Sequence, residues 1–318
     1  MGTDTASRWR RLPLREIACL VPVAAVAVWA TGHWRVVAEG SGRLLTAEPG
    51  WLVAAGAATV LAWVAAAFTR QGAVVDRLPA ARLLATQFAA SSANHLLPSG
   101  LGAGAVNLRF MAVCGLPLAR SSAALALYLL AEAVARVALL LVLLAVFPHA
   151  LRIGHLLPGA GADTLILTAG GLLCAVLLAL GLVRPWRRAV RTFLNTALSE
   201  ARSVHARPAR VLALWGGSLA FPALQAAGLV AVGLSLHVRV PVMHLAVAYL
   251  AASILAAAIP APGGIGSVDA ALAVALVAAG VPAAAAAAAV LAFRLITVWL
   301  PLLPGALVLG ALVRRKVL

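Results

Sequence analysis

Six uninterrupted apolar runs decide what this chain can fold into. Residues 17–36, 51–69, 121–147, 163–183, 211–232 and 282–313 each supply the roughly 20 residues a helix needs to cross about 30 Å of hydrocarbon. A soluble fold is excluded by the rest of the composition. Hydrophobic residues make up 64% and charged residues 11% of the chain, too few to cover a water-facing surface. Three residues, Arg8, Arg10 and Arg11, precede the first run. That run is long enough to span, so the expectation is an uncleaved first helix.

Two further apolar stretches are interrupted. Residues 81–115 break at Pro98-Ser99-Gly100-Leu101-Gly102, and residues 241–280 break at Pro260-Ala261-Pro262-Gly263-Gly264-Ile265-Gly266. Non-helical backbone at membrane depth is tolerated only where protein or a wet cavity surrounds it. Each break is followed by a short helical stretch, then Gly115-Leu116-Pro117 or Gly280-Val281-Pro282, then a long apolar run. This shared order predicts an inverted repeat with a binding site near the midplane. The fold expected is an all-α polytopic membrane protein in one integral membrane domain. It has about six full transmembrane helices plus two opposed, Pro/Gly-broken re-entrant hairpins.

Charge sets the expected topology. The net charge of +16 comes from 25 basic and 9 acidic residues, and every basic residue but Lys316 is arginine. In a hydrophobic chain, that excess marks cytoplasmic loops and anionic headgroups, not nucleic acid. Residues 1–16, 70–82, 184–210 and 314–318 carry clustered arginines and are expected in the cytoplasm. These sides agree only if 81–115 starts and ends inside and 241–280 starts and ends outside, each as a re-entrant hairpin or a close pair of crossings. The segment 184–210 is too polar to insert and reads as an interfacial helix plus loop, with Trp186 at headgroup level. The expected location is the cytoplasmic membrane of a bacterium, multi-pass, with both termini cytoplasmic.

Candidate chemistry rests on few residues. No metal-ligand spacing, nucleophile elbow or phosphate-binding Gly-Lys-Ser loop is present, so neither a cofactor nor an enzyme activity is expected. The ionisable groups in apolar runs are Arg109, Glu132, Arg136, Asp269 and Arg294. An arginine or aspartate at a helix centre costs about 2.5–3.5 kcal/mol on insertion scales, so a functional role is the default reading. Glu132 and Arg136 lie four apart on one helix and could neutralise each other. Arg294 could pair with Asp269 or Glu132, or bind an anionic substrate. Arg109 could snorkel to the headgroups. Helices starting near Gly102 and Gly266 would aim backbone N–H groups and positive dipole ends at a phosphate or carboxylate. Asn94 could donate to a headgroup or tie down broken backbone, while His95 reads as a packing residue.

The run Asn94-His95-Leu96-Leu97-Pro98-Ser99-Gly100-Leu101-Gly102, with Asn107-Leu108-Arg109, resembles the first conserved element of the lysylphosphatidylglycerol synthase transmembrane (flippase-like) family. Pro260 to Ala270, containing Pro262, Gly263, Gly264, Gly266 and Asp269, resembles its second element. Arg294 with Trp299-Leu300-Pro301 completes the resemblance, which covers nearly the whole chain. Ala103 stands where the family usually has an acidic residue. Ala133 stands where a basic residue follows the helix glutamate, and Asp269 where glutamate is general. The resemblance implies a stand-alone lipid-handling unit, without the aminoacyl-transferase domain of multidomain members.

The function expected is a lipid translocase binding an anionic or zwitterionic headgroup. The alternative is a non-transporting accessory protein that binds a lipid intermediate or a glycosyltransferase partner through 184–210. Expected partners are membrane lipids, with a membrane-protein partner or a second copy of the chain also open. Cysteines placed at Ser99 and Ser267 in a cysteine-free background are expected to label from the cytoplasmic and outer faces respectively. Labelling of both from one face, or of neither, would contradict the opposed hairpins.

Overall fold

The computed structural model describes residues 46–96, 102–150, 184–258 and 267–314. In chain order these form α1 (Pro49–Gly72), α2 (Ala80–Leu96), α3 (Gly102–Val113), α4 (Leu118–Val146), α5 (Arg184–His205), α6 (Pro208–Ser235), α7 (Val242–Ala258), α8 (Ser267–Ala278) and α9 (Ala283–Arg294). A π-helical segment (Leu295–Trp299) then leads into α10 (Leu300–Arg314). No strand occurs among the described residues. Among the described residues four spans are long and apolar enough to cross a membrane: α1, α4, α6 and the continuous α9–π–α10 rod. They match four of the six expected runs, and the protein is a polytopic all-α membrane protein. The runs at 17–36 and 163–183, both chain termini and the two Pro/Gly breaks lie outside the described residues.

The most extensive contact joins α1 and α6. Each opens with proline in its first turn, where the missing N–H has no partner to lose. The two helices run antiparallel, and glycines let their backbones touch. A Cβ on Gly72 would stand 2.2 Å from the Leu214 nitrogen, and one on Gly217 would stand 2.6 Å from the Ala65 carbonyl oxygen. At the other end, the Glu48 N–H donates to the Ser235 carbonyl at 3.0 Å. Small residues of this kind permit the close packing that drives helix association in lipid.

This pair defines two ends of the bundle, and each broken stretch enters from a different one. Helix α2 leaves from the Gly72 end, where Arg210 donates to the carbonyls of Gln71 (3.0 Å) and Val75 (2.9 Å). The chain returns to that end after α3. There Arg120, in the first turn of α4, binds Asp76 in the loop before α2 at 3.1 Å and Glu200 on α5 at 2.7 Å. Helix α7 leaves from the Ser235 end. The chain returns there after α8, since Val281 and Ala285 share an apolar cluster with Leu236, against which Ala47 and Val240 also pack. In both stretches the entering helix has 17 residues and the returning one 12. At 1.5 Å per residue these legs are about 25 and 18 Å long, short of a full crossing. They are therefore opposed hairpins.

The repeat extends to single hydrogen bonds. Gly102 and Ser267, Gly115 and Gly280, and Pro117 and Pro282 are each 165 residues apart. Gly115 (φ +88°) and Gly280 (φ +94°) end their helices in the left-handed conformation that glycine adopts without steric cost. Leu116 N–H reaches back to Met111 and Val281 N–H to Leu276, at 3.1 and 3.0 Å. The halves also interlock, since α2 packs against α10 and α7 against α4.

Two expectations change. The segment beginning at Arg70 was expected to be loop, but α1 continues through Gly72 and places Arg70 inside the bundle. Residues 184–205 form one amphipathic basic helix, as expected. The placement of Trp186 lies outside the side chains described.

Substituting Gly217 with leucine is expected to separate α1 from α6 and lower stability by about 3 kcal/mol. Gly216→Ala, next to it with open space around its Cβ position, should change little. Denaturant titration of the purified protein checks this, and equal stability of the two variants would contradict the packing.

Candidate functional site

Residues beside both breaks line one cavity of about 260 Å³. Asn94 and His95 line it from the last turn of α2, and Ala103 and Val268 from the second positions of α3 and α8. Those second positions are repeat equivalents, so both 12-residue helices present their N-terminal ends to the same space. Positive dipole ends there favour an anion. The α3 start is held tightly, since a Cβ on Gly102 would meet the Ala93 carbonyl oxygen at 2.2 Å.

Two arginines line the same cavity, Arg70 and Arg294. Arg70, in the last turn of α1, binds Glu132 on α4 at 2.5 Å and the Ala66 carbonyl at 3.3 Å. Its guanidinium also lies 4.4 Å from the centre of the Tyr128 ring, a favourable cation–π arrangement in a dry site. The Arg70 and Glu132 side chains are only 11% and 13% exposed, so neither charge is relieved by solvent. Arg294 closes α9, and its Nε donates to Asp269 in the first turn of α8. Neither carboxylate lines the cavity. Each therefore neutralises its arginine from outside that space.

The π segment orients the second arginine. Pro301 lacks an N–H, and its ring crowds the carbonyl four residues back. The helix widens there: the Leu300 N–H bonds the Leu295 carbonyl, five residues back. Thr297 hydroxyl donates to the Phe293 carbonyl at 2.7 Å. Arg294, Thr297 and Val298 then share the face turned to the cavity. π-segments of this kind recur at functional sites.

The remaining wall is amide and aromatic. Gln87 and Asn107 bond each other at 2.9 Å across the first hairpin, and Gln225 enters from α6. Trp63 stacks edge-on against Phe88 with ring centres 4.3 Å apart, and Tyr249 against Phe293 at 5.7 Å.

The candidates from sequence are partly brought together. Asn94 and Arg294 line the cavity, Gly102 positions the α3 tip, and Glu132 and Asp269 hold the two lining arginines. Arg136 stays outside the lining but lies within electrostatic reach of Tyr249, as Arg294 does. Arg109 is exposed and does not line the cavity. Pro98, Gly100, Pro262, Gly263, Gly264 and Gly266 lie outside the described residues. The pairing of Glu132 with Arg136 is not formed: Glu132 turns across to α1 and takes Arg70. Among the described residues Arg136 makes no ion pair, and its Nε is buried without a hydrogen-bond partner. Sequence reasoning missed Arg70, because a charge at a run's edge looks like loop. It also passed over Gln87 and Gln225, although a carboxamide inside an apolar run is itself a signal.

Removing one partner strands a buried charge, so Glu132→Ala is expected to cost about 3–5 kcal/mol, while the double change Arg70→Leu/Glu132→Leu recovers most of it. Arg136→Leu should leave stability unchanged or raise it. Unfolding midpoints of the purified variants measure this, and a destabilised Arg136→Leu would assign that arginine a structural role.

No curated protein matches the chain. A family model described as the lysylphosphatidylglycerol synthase TM region matches residues 17–305. That span takes in both hairpins, both lining arginines and their carboxylates, and the chain belongs to this family.

Proposed function

We propose that this chain translocates a phospholipid or related lipid-linked headgroup between the leaflets of the cytoplasmic membrane. The observation that carries the reading is that helices flanking both breaks, in stretches entered from opposite ends of the bundle, line one polar cavity with two arginines. A family tied to membrane lipids supports it. The headgroup phosphate would meet the N-terminal ends of α3 and α8 together with Arg70 and Arg294, while the acyl tails remain in the bilayer. The process is transport without bond chemistry. The end bearing Arg77, Arg82, Arg120, Arg202, Arg207 and Arg210 faces the cytoplasm by the positive-inside rule. The opposite end carries Glu48, His237 and Arg239.

Reconstituted vesicles with a fluorescent phospholipid and a membrane-impermeant quencher test the reading. The exchange variant Arg294→Asp/Asp269→Arg keeps an ion pair but relocates the cation from the cavity. It is expected to fold and to lose transport by about tenfold or more. Transport at the wild-type rate would overturn the proposal.

A second reading is an accessory protein docking a membrane partner. It is favoured by the basic helix α5, which Arg120 fixes at Glu200. Charge reversal at Arg202 and Arg207 separates the two. An accessory protein loses partner capture, whereas a translocase keeps its transport rate.

A further inference from the structure

Two arginines stand within reach of one carboxylate on α4. Glu132 is taken by Arg70 at 2.5 Å. Among the described residues Arg136 makes no ion pair, and its Nε is buried without a partner. Arg136 follows Glu132 by four residues on the same helix, a spacing that sets the two Cβ atoms about 5–6 Å apart on one face. The acid preceding the base is also the better order along a helix. A change of the Glu132 rotamer alone therefore moves it from one arginine to the other.

The charge balance gives that second position a use. Arg70, Arg136 and Arg294 are set against two carboxylates, Glu132 and Asp269, which leaves one positive charge in excess. An unpaired arginine at membrane depth is costly. One anion arriving at Arg70 removes the excess: it takes the place of Glu132, and Glu132 passes to Arg136. Three ion pairs then stand where there were two. Arg70 does not have to move for this. Its guanidinium lies 4.4 Å from the Tyr128 ring centre and bonds the Ala66 carbonyl at 3.3 Å, contacts that remain when the carboxylate leaves.

We propose that Arg136 is a positioning residue of the transport cycle: it receives Glu132 when the headgroup engages Arg70 and returns it when the headgroup leaves. This rests on the lipid reading above and adds the step that frees Arg70. The exchange also alters what α4 is tied to. With Glu132 on Arg70, an ion pair joins α4 to α1, on which α4 otherwise packs only lightly. With Glu132 on Arg136, both partners belong to α4. Arrival of a charge is thereby converted into loss of a bond between two helices, a discrete two-position element of the kind that conformational switches use.

Unfolding midpoints of the full chain in detergent test the exchange without any ligand. In an Arg70→Met background Glu132 has only Arg136 to turn to, so adding Arg136→Leu is expected to lower the midpoint clearly, although the same change in the parent does not. Adding Glu132→Leu to that double variant removes the stranded charge and should restore the midpoint, which keeps the result readable if the double variant fails to fold. No effect of Arg136→Leu in the Arg70→Met background overturns the proposal. Equilibrium binding of dioctanoyl phosphatidic acid then tests the link to the headgroup. Arg136→Leu is expected to weaken it about tenfold or more, because the displaced carboxylate has no partner. Arg136→Lys and Arg136→Leu/Glu132→Gln should bind as the parent does. Parent-like binding by Arg136→Leu overturns the proposal and leaves the lipid reading intact. If the parent itself binds no phosphatidic acid, the lipid reading falls and the headgroup role of Arg136 with it, whatever the midpoints show.

Discussion

The close antiparallel contact of α1 with α6 sets the frame on which the other described helices depend. Hydrocarbon gives helices little reason to associate beyond packing and polar contacts. Gly72 and Gly217 therefore matter more than a comparable pair would in water: they let backbone meet backbone where a Cβ would collide. Because the two helices run in opposite directions, the segments that follow them leave from opposite ends. The opposition of the hairpins follows from that one geometry. So does the convergence of Asn94, Ala103 and Val268, beside the two breaks, on a single cavity.

The same solvent explains the site's electrostatics. A charge in lipid is costly unless it is paired or faces a polar space, and among the described residues Arg136 has neither an ion pair nor a place in the cavity lining. Arg70 and Arg294 have both, held by carboxylates on one side and lining the cavity on the other. The two halves reach this arrangement by unequal means. In the second half the carboxylate, Asp269, sits in the short hairpin helix, where the repeat-equivalent position in the first half is Gly104. There the carboxylate comes from Glu132 on the long helix α4. Backbone geometry is thus duplicated to single hydrogen bonds, whereas the charged chemistry is not. A symmetric scaffold holds an asymmetric site.

Much of this was legible in the residues. The apolar runs gave the spanning helices, because roughly 20 consecutive apolar residues have few other solutions. The paired Gly-x-Pro signals at Gly115 and Gly280 gave the repeat, because glycine at a left-handed helix end followed by proline has a narrow structural meaning. Asn94 and Arg294 stood out as polar groups in apolar surroundings. Arg70 did not, since its position at the edge of a run reads as a boundary until α1 is seen to continue past it.

The sequence by itself determined the solvent this protein lives in, the number and order of its hairpins, and the residues too polar to sit idle in lipid. These are local properties of composition and backbone preference. Only the tertiary structure decided which charges meet. Spacing along one helix offered Arg136 to Glu132, but α1 brings Arg70 within 2.5 Å of that carboxylate. Pairing across helices depends on packing angles and depth, which the register of one helix does not encode. For the same reason, the gathering of Gln225 with Gln87 and Asn94 around one cavity could not be read from the sequence, since Gln225 lies more than a hundred residues from the other two.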